Sequence, residues 1–270
     1  MRLAADRRGD SDAPPAILLH GGGQTRYSWG GTAEALADAG WQAITVDARG
    51  HGESEWAPDA DYRLTSFAED VRAVAEQLGA APVLVGASLG GLTSVMLEGE
   101  LAPGTARAVV LVDVVPELEA AGTARIKDFM VDRLFDGFGS LEEAAAAVAA
   151  YNPHRPPPSD LRGLAKNLRE RGGRWYWHWD PAFMNNKGVS EVSDTDRLRR
   201  AAQRLAPPVL LVRGRMSDVV SEEGVQSFRA DCPHAQYVDV SGAGHMVAGD
   251  RNDAFTHAVV DFLDSLDRGL

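Results

Sequence analysis

Residues Gly86-Ala87-Ser88-Leu89-Gly90 constrain this chain more than any other stretch, because they follow an apolar run of the buried-strand kind, Val83-Leu84-Val85, and lead into a helical pattern from Leu89 to Glu100. A chain that turns straight from strand into helix brings together the positions two residues either side of the turn. Only side chains near hydrogen in size fit there, and both positions are glycine. The serine at the apex is then lifted clear of the sheet with its hydroxyl free to react. A five-residue pattern recurs by chance, so its surroundings decide what it means.

Those surroundings repeat one arrangement. Upstream, Ala16-Ile17-Leu18-Leu19 is a short apolar strand that ends in His20-Gly21-Gly22-Gly23, a turn able to point backbone N–H groups at a ligand. Downstream, Val209-Leu210-Leu211-Val212 ends in Arg213-Gly214-Arg215-Met216-Ser217-Asp218, and Tyr237-Val238-Asp239-Val240 ends in Gly242-Ala243-Gly244-His245. Serine, carboxylate and imidazole therefore each follow the C-terminal end of an expected strand. In a parallel sheet those ends share one edge, where ligands bind.

On these residues the chain resembles the α/β-hydrolase family. The matching stretches are His20-Gly21-Gly22-Gly23, Asp47-Ala48-Arg49-Gly50-His51-Gly52-Glu53-Ser54, the turn at Ser88, Asp218 in its post-strand loop, and Gly244-His245. The chain order Ser, Asp, His is that family's own. The resemblance implies an α/β fold with a mostly parallel central sheet flanked by helices, and an inserted helical lid.

The alternation along the chain agrees. Strands are expected near Ile17–His20, Ala43–Asp47, Val83–Gly86, Val109–Asp113, Val209–Arg213 and Gln236–Val240. Helical patterns lie between them, at Gly30–Asp38, Thr65–Leu78, Leu89–Glu100, Val225–Ala230 and Asp253–Asp267. The start looks abbreviated: only Met1 to Asp6 precede the turn Arg8-Gly9-Asp10, where the family opens with an antiparallel hairpin, so an edge strand is expected to be missing or to lie upstream. From Val114 to Arg199 the alternation stops. Helical patterns at Ala120–Phe135, Leu141–Tyr151 and Asp160–Arg171 accompany a proline cluster, Pro156–Pro158, and the aromatic run Trp175-Tyr176-Trp177-His178-Trp179. The expected organisation is a core of residues 1–113 and 200–270 with a lid of residues 114–199.

Composition narrows the partners. A formal net charge of −12 over 270 residues argues against nucleic acid and against an anionic membrane surface. No apolar run approaches the roughly 18 residues of a membrane span, and the N-terminus lacks the apolar core of a signal peptide. The single cysteine, Cys232, suits a reducing compartment and reads as structural. The expectation is a soluble cytoplasmic protein, monomer or homodimer, acting on a small molecule. No metal cluster, cofactor fingerprint or phosphate loop is visible, so no cofactor is expected.

The resemblance assigns Ser88 as nucleophile, His245 as general base and Asp218 as the acid that orients His245; Asp113 also follows a strand, and some members take their acid from that position. The oxyanion hole is expected from the N–H groups of Gly22 and Leu89, with Gly23 as neighbour. His20 reads as a residue that fixes its turn, and Arg49-Gly50-His51-Gly52 as a motif of shape, leaving His51 without a catalytic part. In the aromatic run, Trp175, Trp177 and Trp179 either anchor the lid or line the pocket, and His178 is placed to hydrogen-bond substrate. The chemistry expected is cleavage of an ester, lactone or thioester of a small, largely apolar substrate. Carbon–carbon bond hydrolases, cofactor-free haloperoxidases or perhydrolases, and hydroxynitrile lyases share the same residue set, and a non-catalytic small-molecule receptor can retain it.

Overall fold

The computed structural model describes residues 1–151, 161–184, 194–245 and 252–267. Its core is a seven-stranded sheet built from β1 (Ala5–Arg8), β2 (Pro15–Leu19), β3 (Gln42–Val46), β4 (Val83–Ala87), β5 (Ala108–Val112), β8 (Val209–Gly214) and β9 (Gln236–Val240). The order across the sheet is β1-β3-β2-β4-β5-β8-β9, and every pairing except that of β1 with β3 is parallel. All six expected strands are present. β1 is the one the sequence pattern did not signal: all four of its residues are exposed, so it carries no hydrophobic alternation, yet it supplies an antiparallel edge where none was expected.

Side-chain alternation along the strands explains why they read as continuous apolar runs. Ile17, Ile44, Leu84, Val109 and Leu211 enter a core on one face, with helices α2 (Leu64–Ala75) and α3 (Leu89–Met96). Ala16, Leu18, Val83, Val85, Val110 and Leu210 enter a second core on the other face, with Trp29, with Ala33 and Leu36 of α1 (Gly30–Asp38), and with Phe255, Val259 and Phe262 of the C-terminal helix Asn252–Asp267. A sheet covered on both faces has no polar side to display.

The sheet also has a point where its winding reverses. From β2 the chain moves outward to β3, then crosses back to β4 on the other side of β2. The loops leaving β2 and β4 therefore part at a crevice, the place where open α/β sheets bind ligands. Those two loops are His20-Gly21-Gly22-Gly23 and the turn at Ser88.

Between β5 and β8 lie α4 (Ala120–Val131), α5 (Leu141–Tyr151), a short α6 (Arg162–Ala165), an antiparallel hairpin of β6 (Leu168–Arg171) and β7 (Arg174–Trp177), a 3-10 turn at Pro181–Met184, and α7 (Thr195–Ala202). The hairpin corrects the expected helix over Asp160–Arg171, because Arg169 and Glu170 pair across to Tyr176 and Trp175. The segment is thus helical with a β-hairpin inside it. The proline cluster Pro156–Pro158 lies outside the described residues. α7 buries Leu198, Ala201 and Ala202 in the sheet's own core, so the chain rejoins that core slightly before residue 200. The sheet continues into α8 (Glu222–Asp231), and Asn252–Asp267 is α9.

Candidate active site

The turn at Ser88 is built by close packing. A Cβ on Gly86 would overlap the backbone of Gly90 and Gly91, and a Cβ on Gly90 would overlap the backbone of Leu19. The strand-to-helix turn therefore closes only with glycine at both places. Ser88 itself is held at φ 47° and ψ −114°, a conformation that L residues rarely adopt and that persists where the surroundings enforce it. Its N–H donates to Val112 O at 3.2 Å, tying the turn to the end of β5. Across the crevice, a Cβ on Gly21 would stand 3.3 Å from Ser88 Cβ.

The next residue after β5 is Asp113, wholly buried and also at positive φ, 47°. Its carboxylate receives three donors: Gly214 N on Oδ1 at 3.0 Å, Ser217 Oγ on Oδ2 at 2.6 Å, and His245 Nδ1 on Oδ2 at 2.7 Å. His245 thus gives its Nδ1 proton to a carboxylate, which leaves Nε2 as the nitrogen able to accept a proton. The carboxylate that partners His245 is Asp113, and this corrects the expectation for Asp218. Asp218 faces away: its Oδ2 pairs with Arg125 Nη2 of α4 at 2.7 Å, and its side chain is 42% exposed. The tight turn closed by Ser217 N to Gly214 O is the cause, because it aims residue 217 at Asp113 and sends residue 218 outward.

The loop after β2 is fixed by two neutral histidines. His20 Nε2 accepts from Ala48 N at 3.0 Å, so its Nδ1 is the protonated nitrogen and donates to Gly21 O at 2.8 Å. His178 accepts from Gly52 N at its Nδ1, 2.7 Å, and donates from Nε2 to Gly23 O at 3.2 Å. The carbonyls on both sides of Gly22 are therefore held, and among the described residues neither Gly22 N nor Leu89 N has a protein acceptor. Both amides are available to a developing oxyanion. Between these rings sits His51, whose Nδ1 donates to Arg49 O at 3.0 Å and whose ring lies 5.3 Å from that of His20 and 5.8 Å from that of His178.

Burial pushes the imidazoles of His20 and His178 below their ordinary range and that of His51 down to about 3, with the neighbouring rings adding to the effect for His51 and His178. The bonds agree for His20 and His178, each of which accepts an amide hydrogen at one nitrogen, whereas the Nε2 of His51 is buried without a hydrogen-bond partner among the described residues. His178 has both nitrogens occupied by backbone. It is a fastener, which corrects its expected contact with substrate.

The 161–184 segment is pinned onto the same two loops. Asp180 N donates to Gly50 O at 2.8 Å, Arg169 Nη2 to Gly52 O at 2.6 Å, and Thr25 Oγ1 to Asn167 Oδ1 at 3.0 Å, while Asp180 Oδ2 accepts from the buried Tyr62 hydroxyl at 2.5 Å. A Cβ on Gly50 would run into that Tyr62 ring, which is why the Arg49-Gly50-His51-Gly52 motif needs its glycine.

The aromatic run divides. Trp177 is buried inside the inserted segment, stacked on Trp179 at 4.9 Å, edge-on to Phe138 at 5.0 Å, with Nε1 donating to Asp132 O at 3.0 Å. Trp175 pairs with Glu170 in the hairpin and with Phe138 across a bridge. Both rings belong to the apolar cluster of the inserted segment. Trp179 faces the crevice loops, since its ring edge would touch a Cβ on Gly23 at 3.4 Å. The residues that the sequence pattern missed are Met130 and Phe183: a Cβ on Gly22 would meet Phe183 at 3.6 Å and Met130 at 3.9 Å, and one on Gly23 would meet Met130 at 3.1 Å. No local signal marks them, since one is a methionine in a helix and the other lies in a 3-10 turn.

Among the described residues no group of three or more His, Cys, Asp or Glu side chains could hold a metal ion, and no helix is long and apolar enough to cross a membrane.

Comparison with known proteins agrees with this architecture. A family model described as alpha/beta hydrolase fold matches residues 14–251. The chain is similar to the esterase Rv0045c of Mycobacterium tuberculosis, at 32% identity over 97% of this chain and 87% of the relative. It is similar to the sn-1-specific diacylglycerol lipase ABHD11 of Mus musculus, at 30% identity over 94% and 82%. Among solved structures, E-2-(acetamidomethylene)succinate hydrolase superposes with a TM-score of 0.85 at 25% identity, over 97% of this chain and 95% of that one.

Proposed function

Because the chain belongs to the α/β-hydrolase fold family, we propose that it is a cofactor-independent serine hydrolase cleaving an ester, lactone or thioester of a small, largely apolar acid through Ser88, His245 and Asp113. The observation that carries this reading is the hydrogen bond from His245 Nδ1 to the buried Asp113, on the sheet edge that also holds Ser88 in its strained turn.

The proposed chemistry follows from what each group can do. A serine hydroxyl is a weak nucleophile until a base takes its proton. His245, with Nδ1 committed to Asp113, has Nε2 for that task, and the imidazolium formed is stabilised by the Asp113 charge. Ser88 Oγ attacks the acyl carbon, and the negative charge that grows on the carbonyl oxygen is taken by the N–H groups of Gly22 and Leu89. Each such donor is worth about 2.7–4 kcal/mol of barrier in enzymes of this chemistry. His245 returns its proton to the leaving group, and water, activated by the same nitrogen, releases the acid from Ser88.

The test is covalent labelling. A fluorophosphonate probe should label the native protein and leave Ser88→Ala unlabelled. Equal labelling of the two would end the assignment of Ser88.

The 114–199 segment acts in this reading as a cap that selects substrate. Support comes from α4, whose positions 122, 126 and 130 share a face at helical spacing. A Cβ on Gly122 would overlap Asp218 O, and Met130 stands over Gly22 and Gly23, so the helix runs from the turn holding Asp113 to the oxyanion loop with Ile126 midway, half-buried. Ile126 and Phe183 are accordingly expected to choose the acyl group. Ile126→Ala should alter the ratio of kcat/KM between a short and a branched acyl ester by about tenfold, within the 1–3 kcal/mol that apolar pocket contacts supply. Trp177→Ala should instead cost about 3–5 kcal/mol of stability, as loss of a buried aromatic does. An unchanged substrate ranking in folded Ile126→Ala would move the pocket elsewhere.

A further inference from the structure

The hydroxyl of Ser217 is fully committed. Val219 N and Val220 N donate to Ser217 Oγ at 3.2 and 3.1 Å, and Ser217 Oγ donates to Asp113 Oδ2 at 2.6 Å. A hydroxyl has two acceptor sites and one proton. With two amides aimed at its lone pairs, the proton is left to point at Asp113. The same turn places Gly214 N on the other carboxylate oxygen. The loop after β8 is therefore a socket, one N–H and one O–H, for a carboxylate delivered from the neighbouring strand β5, with which β8 pairs in register from Val109 to Val112.

We propose that Ser217 is a positioning residue for the hydrolytic reaction: it fixes the plane of the Asp113 carboxylate so that Oδ2 keeps a lone pair directed at His245 Nδ1. The inference rests on the assignment of Ser88, His245 and Asp113 given above. Asp113 needs such holding because its backbone sits at positive φ, a conformation that persists only where the surroundings enforce it. His245 is in turn held at its Nδ1 by Asp113. An error in the carboxylate plane passes directly to the imidazole, and displacements of about 1 Å in a catalytic group can cost on the order of a hundredfold in rate.

The experiment is a double-mutant cycle read by steady-state kinetics on a small p-nitrophenyl ester. Ser217→Ala should lower kcat about 10- to 100-fold with KM within about twofold, and Ser217→Thr, which keeps the hydroxyl, should restore most of kcat. Added to Asp113→Asn, Ser217→Ala should cost less than about threefold more, because its effect passes through the carboxylate already removed. The low-field proton resonance of His245 Nδ1 should move in Ser217→Ala and stay in place in Ser217→Thr. Should Ser217→Ala fail to fold, Ser217→Cys keeps the volume with a far weaker donor and should show the same loss. Wild-type kcat in Ser217→Ala, or an equal cost with and without Asp113, would overturn the role of Ser217. An Asp113→Asn enzyme as active as wild type would instead overturn the catalytic assignment on which it rests.

Discussion

Asparagine at position 113 is expected to lower kcat by about four orders of magnitude, the loss that the wrong-tautomer substitution produces in serine triads elsewhere. The site explains why so small a change should matter. Asp113 meets three donors with two acceptor oxygens, from Gly214, Ser217 and His245. An amide offers one oxygen and an NH2 group that faces a donor wherever it points. If the NH2 faces His245, the ring can bond to it only through an unprotonated Nδ1, and its proton then sits on Nε2, where it blocks transfer from Ser88. Asp218→Asn should by contrast change kcat by less than about twofold, since the pair it breaks with Arg125 is half exposed and such pairs are worth about 0–1 kcal/mol. Activity of both variants against a nitrophenyl ester, with circular dichroism as the check on folding, separates the two carboxylates. The reverse ranking would return the acid to Asp218.

Mild acid is expected to destabilise the protein well before its carboxylates protonate. His20, His51 and His178 are buried as neutral rings, each with an imidazole held below the ordinary value, about 3 for His51. The unfolded chain takes up protons on these groups near pH 6.5 and the folded chain does not, so their contribution is intact above about pH 6.5 and shrinks as pH falls toward 3. His51, with its ring down at about 3, loses about 2 kcal/mol by pH 5, a sizeable part of a domain's usual stability, and the lowered rings of His20 and His178 add to the loss in the same direction. Asp61 works in a separate window: its hydrogen bonds to Arg63 and Ser66 depress its carboxyl well below the usual range, so what it contributes is lost only at stronger acidity. The thermal midpoint should fall steeply between pH 7 and pH 5, and less steeply in His51→Asn. A flat midpoint across that interval would show that these rings are already protonated in the folded protein. The loss has a functional side in the proposed reaction, because His20 and His178 hold the carbonyls of Gly21 and Gly23, and the loop carrying Gly22 should loosen with them.

What the amino-acid sequence determined by itself is what short-range physics decides. Strands buried on both faces appear as uninterrupted apolar runs such as Val83-Leu84-Val85, whatever the rest of the chain does. The turn at Ser88 requires glycine at positions 86 and 90 because the clash is between neighbours in the chain and the adjoining strand β2. The approach of His20-Gly21-Gly22-Gly23 to Ser88 then follows from parallel strands ending on one edge. β1 escaped because an exposed edge strand leaves no hydrophobic pattern, and the hairpin of β6 and β7 escaped because its pairing is a relation between two segments rather than a property of either.

Tertiary structure alone decided which carboxylate meets His245. Asp113 and Asp218 follow adjacent parallel strands and arrive at the same edge, so spacing and residue type cannot separate them. The choice is made by a positive φ at Asp113 and by the turn from Gly214 to Ser217, which together aim one carboxylate inward and leave the other paired with Arg125 in solvent. The same holds for His178 and Trp177, set one residue apart in an aromatic run. One fastens the Gly21–Gly23 loop and the other fills the core of the inserted segment, because each is placed by the surface it packs against.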